Sequence, residues 1–195
     1  GLVCGNLSQP ISKVLFTVDV TDEVMAEAQR ARVDLIVAHH PLLLRGINFL
    51  PENTSKGAVL STAIKNDIAI YAAHTNADNA TDGVSDALAV ATGLMQVRPL
   101  LETKPGVGAA RIGSLAEVTT VGEIARRLAK ALPSTVAPIR VAADYEQQVT
   151  RVAVCGGAGD SFIDEAYKQG ADLYITADLR HHPVQEIQQR AFAEG

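Results

Sequence analysis

Tryptophan is absent from this 195-residue chain, and phenylalanine and tyrosine number four each, so few aromatic faces are available for stacking the bases of a single-stranded nucleic acid. Cysteine is scarce. Cys4 and Cys155 lie far apart and form no Cys-x-x-Cys pair, so neither a disulfide framework nor a thiolate zinc site is indicated, and a reducing cytoplasm is the expected compartment. Positive charge is in deficit, with 17 Lys and Arg against 22 Asp and Glu and a formal net charge of -5. That balance leaves no electrostatic footprint for a polyanion, and nucleic-acid binding is set aside. Long apolar runs are also missing: Asp19, Asp34, Asn66 and Asp172 interrupt every stretch well short of the roughly 18 residues needed to cross a bilayer. No basic segment followed by an apolar one opens the chain, so no signal peptide and no membrane partner are expected.

What is present is apolar material for a core, 47% of all residues, enough for one large domain or two small ones. Residues 14 to 18 (VLFTV) read as a buried strand. Asp19 to Glu23 supply the cap-type and acidic residues of a helix start. Val24, Met25, Ala28 and Ala31 recur at helical spacing, and Leu35 to Ala38 read as a second buried strand, which completes a βαβ unit. The stretch RVAVCGGAGDSFIDEAYKQGADLYIT repeats that pattern at a constant offset of 138 positions: Asp22 meets Asp160, Glu27 meets Glu165, Ala28 meets Ala166, and Asp34-Leu35 meet Asp172-Leu173. The expected fold class is therefore α/β, with two related lobes formed by an internal repeat and mixed sheets flanked by helices. Between the repeats the pattern predicts a helix over 55 to 66, a strand over 68 to 72, a helix from about Gly83 to Thr92 closed by Gly93, a turn-rich loop over 103 to 109, a strand over 110 to 118, and an amphipathic helix from Val121 to Ala131. These elements place the lobes at 1–100 and 101–195.

The five histidines fall in three groups, His39-His40, His74 and His181-His182, each at or just after the end of a predicted strand. In open α/β sheets ligands gather beyond the carboxyl ends of the strands. Pro41 forces an extended His40, so the two adjacent imidazoles are expected to diverge, one to each of two neighbouring cations. The segment Ala73-His74-Thr75-Asn76-Ala77-Asp78 adds a carboxylate able to bind or bridge two such ions. Imidazole suits zinc, iron and other late divalent metals, and a paired centre acidifies a coordinated water and polarises the bond under attack. The alternative is that these histidines satisfy buried carbonyls or sit on the surface. Asp178, Arg180 and His182 follow the repeat strand and are candidates for substrate contact or acid–base work, against the plainer reading of a solvated helix start before Pro183. Cys155 to Asp160 (CGGAGD) lies between a strand and a helix, where amides can cradle a phosphate. Asp160 would repel an anion and no P-loop lysine is present, so a tight βα turn is the expectation, with Cys155 a buried structural thiol.

The segments AHHPLLLRG (38 to 46), AAHTNADNATDGVSDALA (72 to 89), VCGGAGD (154 to 160) and TADLRHHP (176 to 183) resemble the Nif-three-like family, whose members also carry the name GTP cyclohydrolase 1 type 2. The resemblance covers nearly the whole chain, including the opening GLVCG. It implies a dinuclear site for two divalent ions (zinc, iron or manganese) in a cleft between the lobes, and assembly into a toroidal homohexamer. His39, His40 and Asp78 correspond to metal ligands, and His74 to a neighbouring motif residue that backs them. Family members continue into a further strand and a His-x-x-x-Glu-like motif that completes the metal pair. The sequence given reaches Glu194-Gly195 ahead of that motif, so a shortened C-terminal lobe is expected. The activity implied is a metal-dependent hydrolase acting on a small-molecule substrate, either opening the imidazole ring of GTP or cleaving a phosphoester. In that reading His182 or His74 moves protons and Asp178 and Arg180 contact substrate. The alternative is a non-catalytic ring that binds metal or a protein partner.

Overall fold

The computed structural model describes residues 1–194, which divide into two compact units, Gly1–Ala77 and Asp78–Gly195. The boundary lies earlier than the residue-100 division the sequence suggested. Helix Val84–Thr92 packs Leu88, Ala89 and Ala91 into a core of the second unit, and strand Met95–Lys104 is a hairpin arm of the second sheet. Burial therefore assigns both elements to the later unit.

The first unit comprises β1 (Leu2–Cys4), β2 (Val14–Thr17), α1 (Asp22–Ala31), β3 (Leu35–Ala38), α2 (Ser55–Lys65) and β4 (Ala69–Ala72). Its sheet runs β1-β4-β3-β2, with β2, β3 and β4 parallel and β1 antiparallel on β4. Thr21 caps α1 by accepting from the Val24 N–H, and Asp22 and Glu23 sit in the first turn, where the helix dipole favours negative charge. Ile36, Ala38 and Ile70 of the strands bury against Met25 and Ala28 of α1 and Val59, Leu60 and Ala63 of α2. Helix α3 (Thr75–Asp78) spans the residues at which the division falls.

The second unit contains α4 (Val84–Thr92), β5 (Met95–Lys104), β6 (Val107–Thr120), α5 (Val121–Ala131), β7 (Gln148–Ala158), a 3-10 turn at Asp160–Phe162, α6 (Ile163–Lys168), β8 (Leu173–Asp178) and α7 (His181–Glu194). Its sheet runs β5-β6-β7-β8, with only β7 and β8 parallel. The loop expected over 103 to 109 is instead a tight hairpin. Gly106 takes a left-handed φ of 75°, the Glu102 carboxylate accepts its N–H at 2.7 Å, and the strands run almost to the turn. At the other end of β6, Thr120 and Glu123 form a reciprocal capping box that starts α5. Both units are thus mixed α/β sheets flanked by helices, as the pattern predicts.

Each unit contains a strand, helix and parallel strand closed by the same hydrogen bonds. In the first, Asp34 Oδ2 accepts the N–H groups of Ser12 and Lys13 (both 2.8 Å) and the Asp34 N–H donates to Lys13 O (3.0 Å). In the second, Asp172 Oδ2 accepts the N–H groups of Thr150 (2.9 Å) and Arg151 (2.8 Å), and the Asp172 N–H donates to Arg151 O (2.8 Å). Both helices exit through a left-handed residue, Arg32 (φ 53°) and Gly170 (φ 72°), and the next N–H, on Val33 or Ala171, donates to Ala28 O or Ala166 O. Strand register matches as well: Val14 faces Leu35 and Val152 faces Leu173.

The second unit also buries one cation. Arg111 on β6 is 2% exposed. Its guanidinium donates to both carboxylate oxygens of Asp86 (2.5 and 2.7 Å) and to the carbonyls of Ala80, Gly108 and Ala110. A buried charge survives only when paired and hydrogen-bonded in this way, and the guanidinium in turn holds the Asp86 carboxyl below the usual carboxylate range. Replacing Asp86 with Ala should lower unfolding free energy in urea by about 3 kcal/mol, the cost of leaving a buried partner charge uncompensated. Because the folded pKa of Asp86 is depressed, its contribution is present above its ordinary pKa of about 3.9 and is lost as pH falls through the folded value. The stability gap between wild type and Asp86→Asn should therefore be full at neutral pH and narrow below about pH 4.

Candidate metal centre

Parallel pairing in the first unit carries the site. Partners on β2 and β3 are 21 positions apart (Val14 with Leu35, Thr17 with Ala38), and those on β3 and β4 are 34 apart (Leu35 with Ala69, Ala38 with Ala72). Pairing continues past the strand ends: His39 N–H donates to Thr17 O (3.1 Å), His40 N–H to Val18 O (2.9 Å) and Ala73 N–H to Ala38 O (2.8 Å). Carried on, the register sets Asp19, His40 and His74 in one row across the carboxyl ends of three strands. Neighbouring strands lie about 4.8 Å apart, which brings side chains of one row within reach of a common ion.

His39, His40 and His74 each offer a ring nitrogen, and these three atoms lie within 4.8 Å of one another. Ring centroids are 5.1 Å apart for His39 and His40, 5.2 Å for His39 and His74, and 5.8 Å for His40 and His74. The adjacent imidazoles thus converge where divergence was expected. His39 and His40 lie in a bend beyond β3, where the alternation of side chains across a strand no longer holds. Hydrogen bonds orient the rings. His39 Nδ1 is 3.0 Å from Ala73 O, an acceptor only, so a neutral ring donates there and carries its lone pair on Nε2. His40 Nδ1 is 2.8 Å from Asp19 Oδ1, which selects the same tautomer. His39 and His74 are half-buried and His40 is exposed. A set of imidazoles with their Nδ1 atoms engaged is chemically suited to zinc, iron or another late divalent ion.

The other predicted residues lie in the second unit. Asp78 ends α3, four positions after His74, and is half-buried. Asp178 ends β8 and is exposed. Arg180 donates to the Asp160 carboxylate. His182 is exposed in the first turn of α7, its ring 5.5 Å from that of His181. Asp19 is the functional candidate that motif reading missed. The signal that could have found it is the constant 21-residue offset of the βαβ pair, which sets it opposite His40.

The glycine-rich segment expected as a tight βα turn is instead largely the end of β7: Cys155 to Ala158 lie in the strand, with a register shift between Cys155 and Ala158 and a left-handed Gly157 (φ 72°) that bulge it against β8. Its carbonyls are taken internally, Gly157 O by the Thr176 hydroxyl (2.8 Å) and Gly159 O by the Tyr174 hydroxyl (2.7 Å), while Gly156 N–H donates to Ser85 Oγ (3.2 Å). Gly156 is required sterically, since a Cβ there would lie 2.5 Å from Val84 Cγ1. Burial pushes the Cys155 thiol above its ordinary pKa, as befits a structural cysteine.

The fold and the cluster together define a mixed α/β protein with three converging imidazoles at the carboxyl ends of parallel strands. The chain belongs to the Duf34/NIF3 (NGG1p interacting factor 3) family, whose model matches residues 1–193. A "GTP cyclohydrolase 1 type 2 homolog" from Streptomyces coelicolor is 50% identical over 192 residues, covering 95% of this chain and 67% of that protein. One of the same name from Clostridium perfringens is 35% identical over 194 residues, covering 97% and 72%. Among solved structures, the Bacillus cereus protein related to NIF3 superposes with a TM-score of 0.88 at 26% identity, over 97% of this chain and 78% of that one. Reduced HcgD from Methanocaldococcus jannaschii gives 0.73 at 29% identity, over 94% and 71%. No helix among the described residues is long and apolar enough to cross a membrane.

The burial of Cys155 yields a direct expectation. In native protein at mildly alkaline pH its thiol should react with an aromatic disulfide reagent much more slowly than in urea, since only the thiolate attacks. Peptide mapping after a timed pulse should find the label on the half-buried Cys4 well before Cys155.

Proposed function

We propose that this chain is a divalent-metal-dependent hydrolase acting on a nucleotide, with His39, His40 and Asp78 as metal ligands. The observation that carries this reading is the convergence of the His39, His40 and His74 ring nitrogens within 4.8 Å. The name shared by the curated relatives points to GTP as substrate; phosphoester hydrolysis is the other reaction the same residues would serve. When bound, two divalent ions would supply Lewis acidity and an acidified water. The residues of this chain do the rest. Ala73 O and Asp19 hold the His39 and His40 rings in one tautomer. His74, in the same cluster, either joins the ligands or carries a proton, and the two roles separate by metal content. His182 is proposed as a second proton carrier and Asp178 and Arg180 as substrate contacts, with the Arg180–Asp160 pair opening to release the guanidinium. The hydrogen bonds shared at positions 138 apart support reading the two units as repeats of one βαβ module, and the resemblance supports a metal site in a cleft and a homohexamer.

A second reading is favoured by the family's own description as an interacting factor: a metal-binding ring that engages a protein partner without turnover. Elemental analysis and GTP or phosphoester turnover by zinc-, iron- and manganese-loaded protein separate the two. The hydrolase reading predicts turnover that falls by about 10²-fold or more in His40→Ala, in line with loss of a ligand to the activating ion. Metal content without turnover would leave the binding reading standing. His74→Ala should lower bound metal if the ring is a ligand, and should spare metal while reducing turnover by about 10²-fold if it moves a proton.

A further inference from the structure

We infer that Asp19 is the positioning residue that makes His40 a metal ligand, an inference that rests on the metal reading above and goes beyond the motif that suggested it. Asp19 lies outside every histidine motif and reaches the site only through strand register. Its carboxylate is 2.8 Å from His40 Nδ1 although both side chains are largely solvent-exposed, 61% and 50%. An exposed contact of this kind contributes little to stability, so folding alone gives no account of why the two groups are held together. The local backbone is shaped to hold them. Thr17 Oγ1 donates to Asp19 O at 2.9 Å, folding the chain back just past β2, while Thr17 O and Val18 O receive the N–H groups of His39 and His40. The carboxylate is thereby fixed on the same row as the imidazole it faces.

The chemical consequence concerns the tautomer. A neutral imidazole places its proton on whichever nitrogen has the better acceptor, and a carboxylate at Nδ1 puts it there. The lone pair is then on Nε2, and the carboxylate raises the basicity of that nitrogen toward a cation. His39 obtains the same tautomer from a neutral carbonyl, Ala73 O. Asp19 thus supplies to His40, from a carboxylate, the orientation that Ala73 O supplies to His39.

The test uses the chain as it stands, with zinc as the probe. Zinc affinity of wild type, Asp19→Ala and Asp19→Asn is measured by competition with a chromophoric chelator. The tautomer of His40 in metal-free protein is read by long-range proton–nitrogen correlation. Asp19→Ala should weaken zinc binding by about 10- to 100-fold and move His40 away from the Nδ1-protonated form, with an unchanged urea midpoint. Asp19→Asn, whose amide oxygen still accepts from Nδ1, should restore the tautomer and recover part of the affinity. An Asp19→Ala protein with wild-type zinc affinity, or with an unaltered His40 tautomer, would overturn the inference. Wild-type protein that took up no zinc, iron or manganese would overturn the metal reading and this inference with it.

Discussion

The register of the three parallel strands in the first unit hangs on Asp34. Its carboxylate gathers the N–H groups of Ser12 and Lys13 and the Ser12 hydroxyl at the start of β2, its own N–H returns to Lys13 O, and its carbonyl accepts the Ala69 N–H that begins β4. One residue thus ties the beginnings of β2, β3 and β4 together. A slip of one position would turn every core side chain of a strand to the opposite face, moving Ile36, Ala38 and Ile70 out of the core. At the far end it would also separate Asp19 from His40 and His40 from His74. The Ser12 hydroxyl and the two N–H groups hold the Asp34 carboxyl below the usual range, so the clasp is ionised wherever the protein is folded near neutrality.

The same clasp recurs at Asp172, which receives Thr150 and Arg151, but the strand ends it positions are chemically different. In the first unit two of the three parallel strands, β3 and β4, deliver imidazoles, and β2 delivers the Asp19 carboxylate. In the second only β7 and β8 are parallel, and the glycine-rich, bulged end of β7 and the Gly159 just past it are tied to β8 through the Thr176 and Tyr174 hydroxyls. One backbone solution therefore serves two different strand-end chemistries, which is why the chemistry has to be read from the strand ends.

Much of this was legible in the sequence because the signals were local. Strands at 35–38 and 69–72, helices from Asp22 and Val121, and the glycine stop at Gly93 follow from burial pattern, caps and left-handed termini. The aspartate that opens the second strand of each βαβ unit, Asp34 and Asp172, was visible at the 138-residue offset and makes the same hydrogen bonds in both. What escaped depended on distant partners. The hairpin over 95–120 was hidden by its glycines and by Pro105, which read as a loop until Gly106 is seen closing a two-strand turn. Helix α4 reads in the sequence as part of the first lobe, and its burial in a core with β6 and β7 assigns it to the second unit.

By itself the sequence determined which residue types are available at the strand ends, histidines and aspartates flanked by short β-branched runs, and with them the family and the kind of ion these residues suit. It could not determine which of them meet. Adjacent histidines were expected to diverge and instead converge, because a bend replaces strand alternation at His39. Asp19 and His74 join His40 through parallel register, a relation between segments 21 and 34 residues apart that side-chain spacing along one strand does not encode. Tertiary structure made that choice, since hydrogen bonding between strands, unlike periodicity within them, fixes which positions share a row.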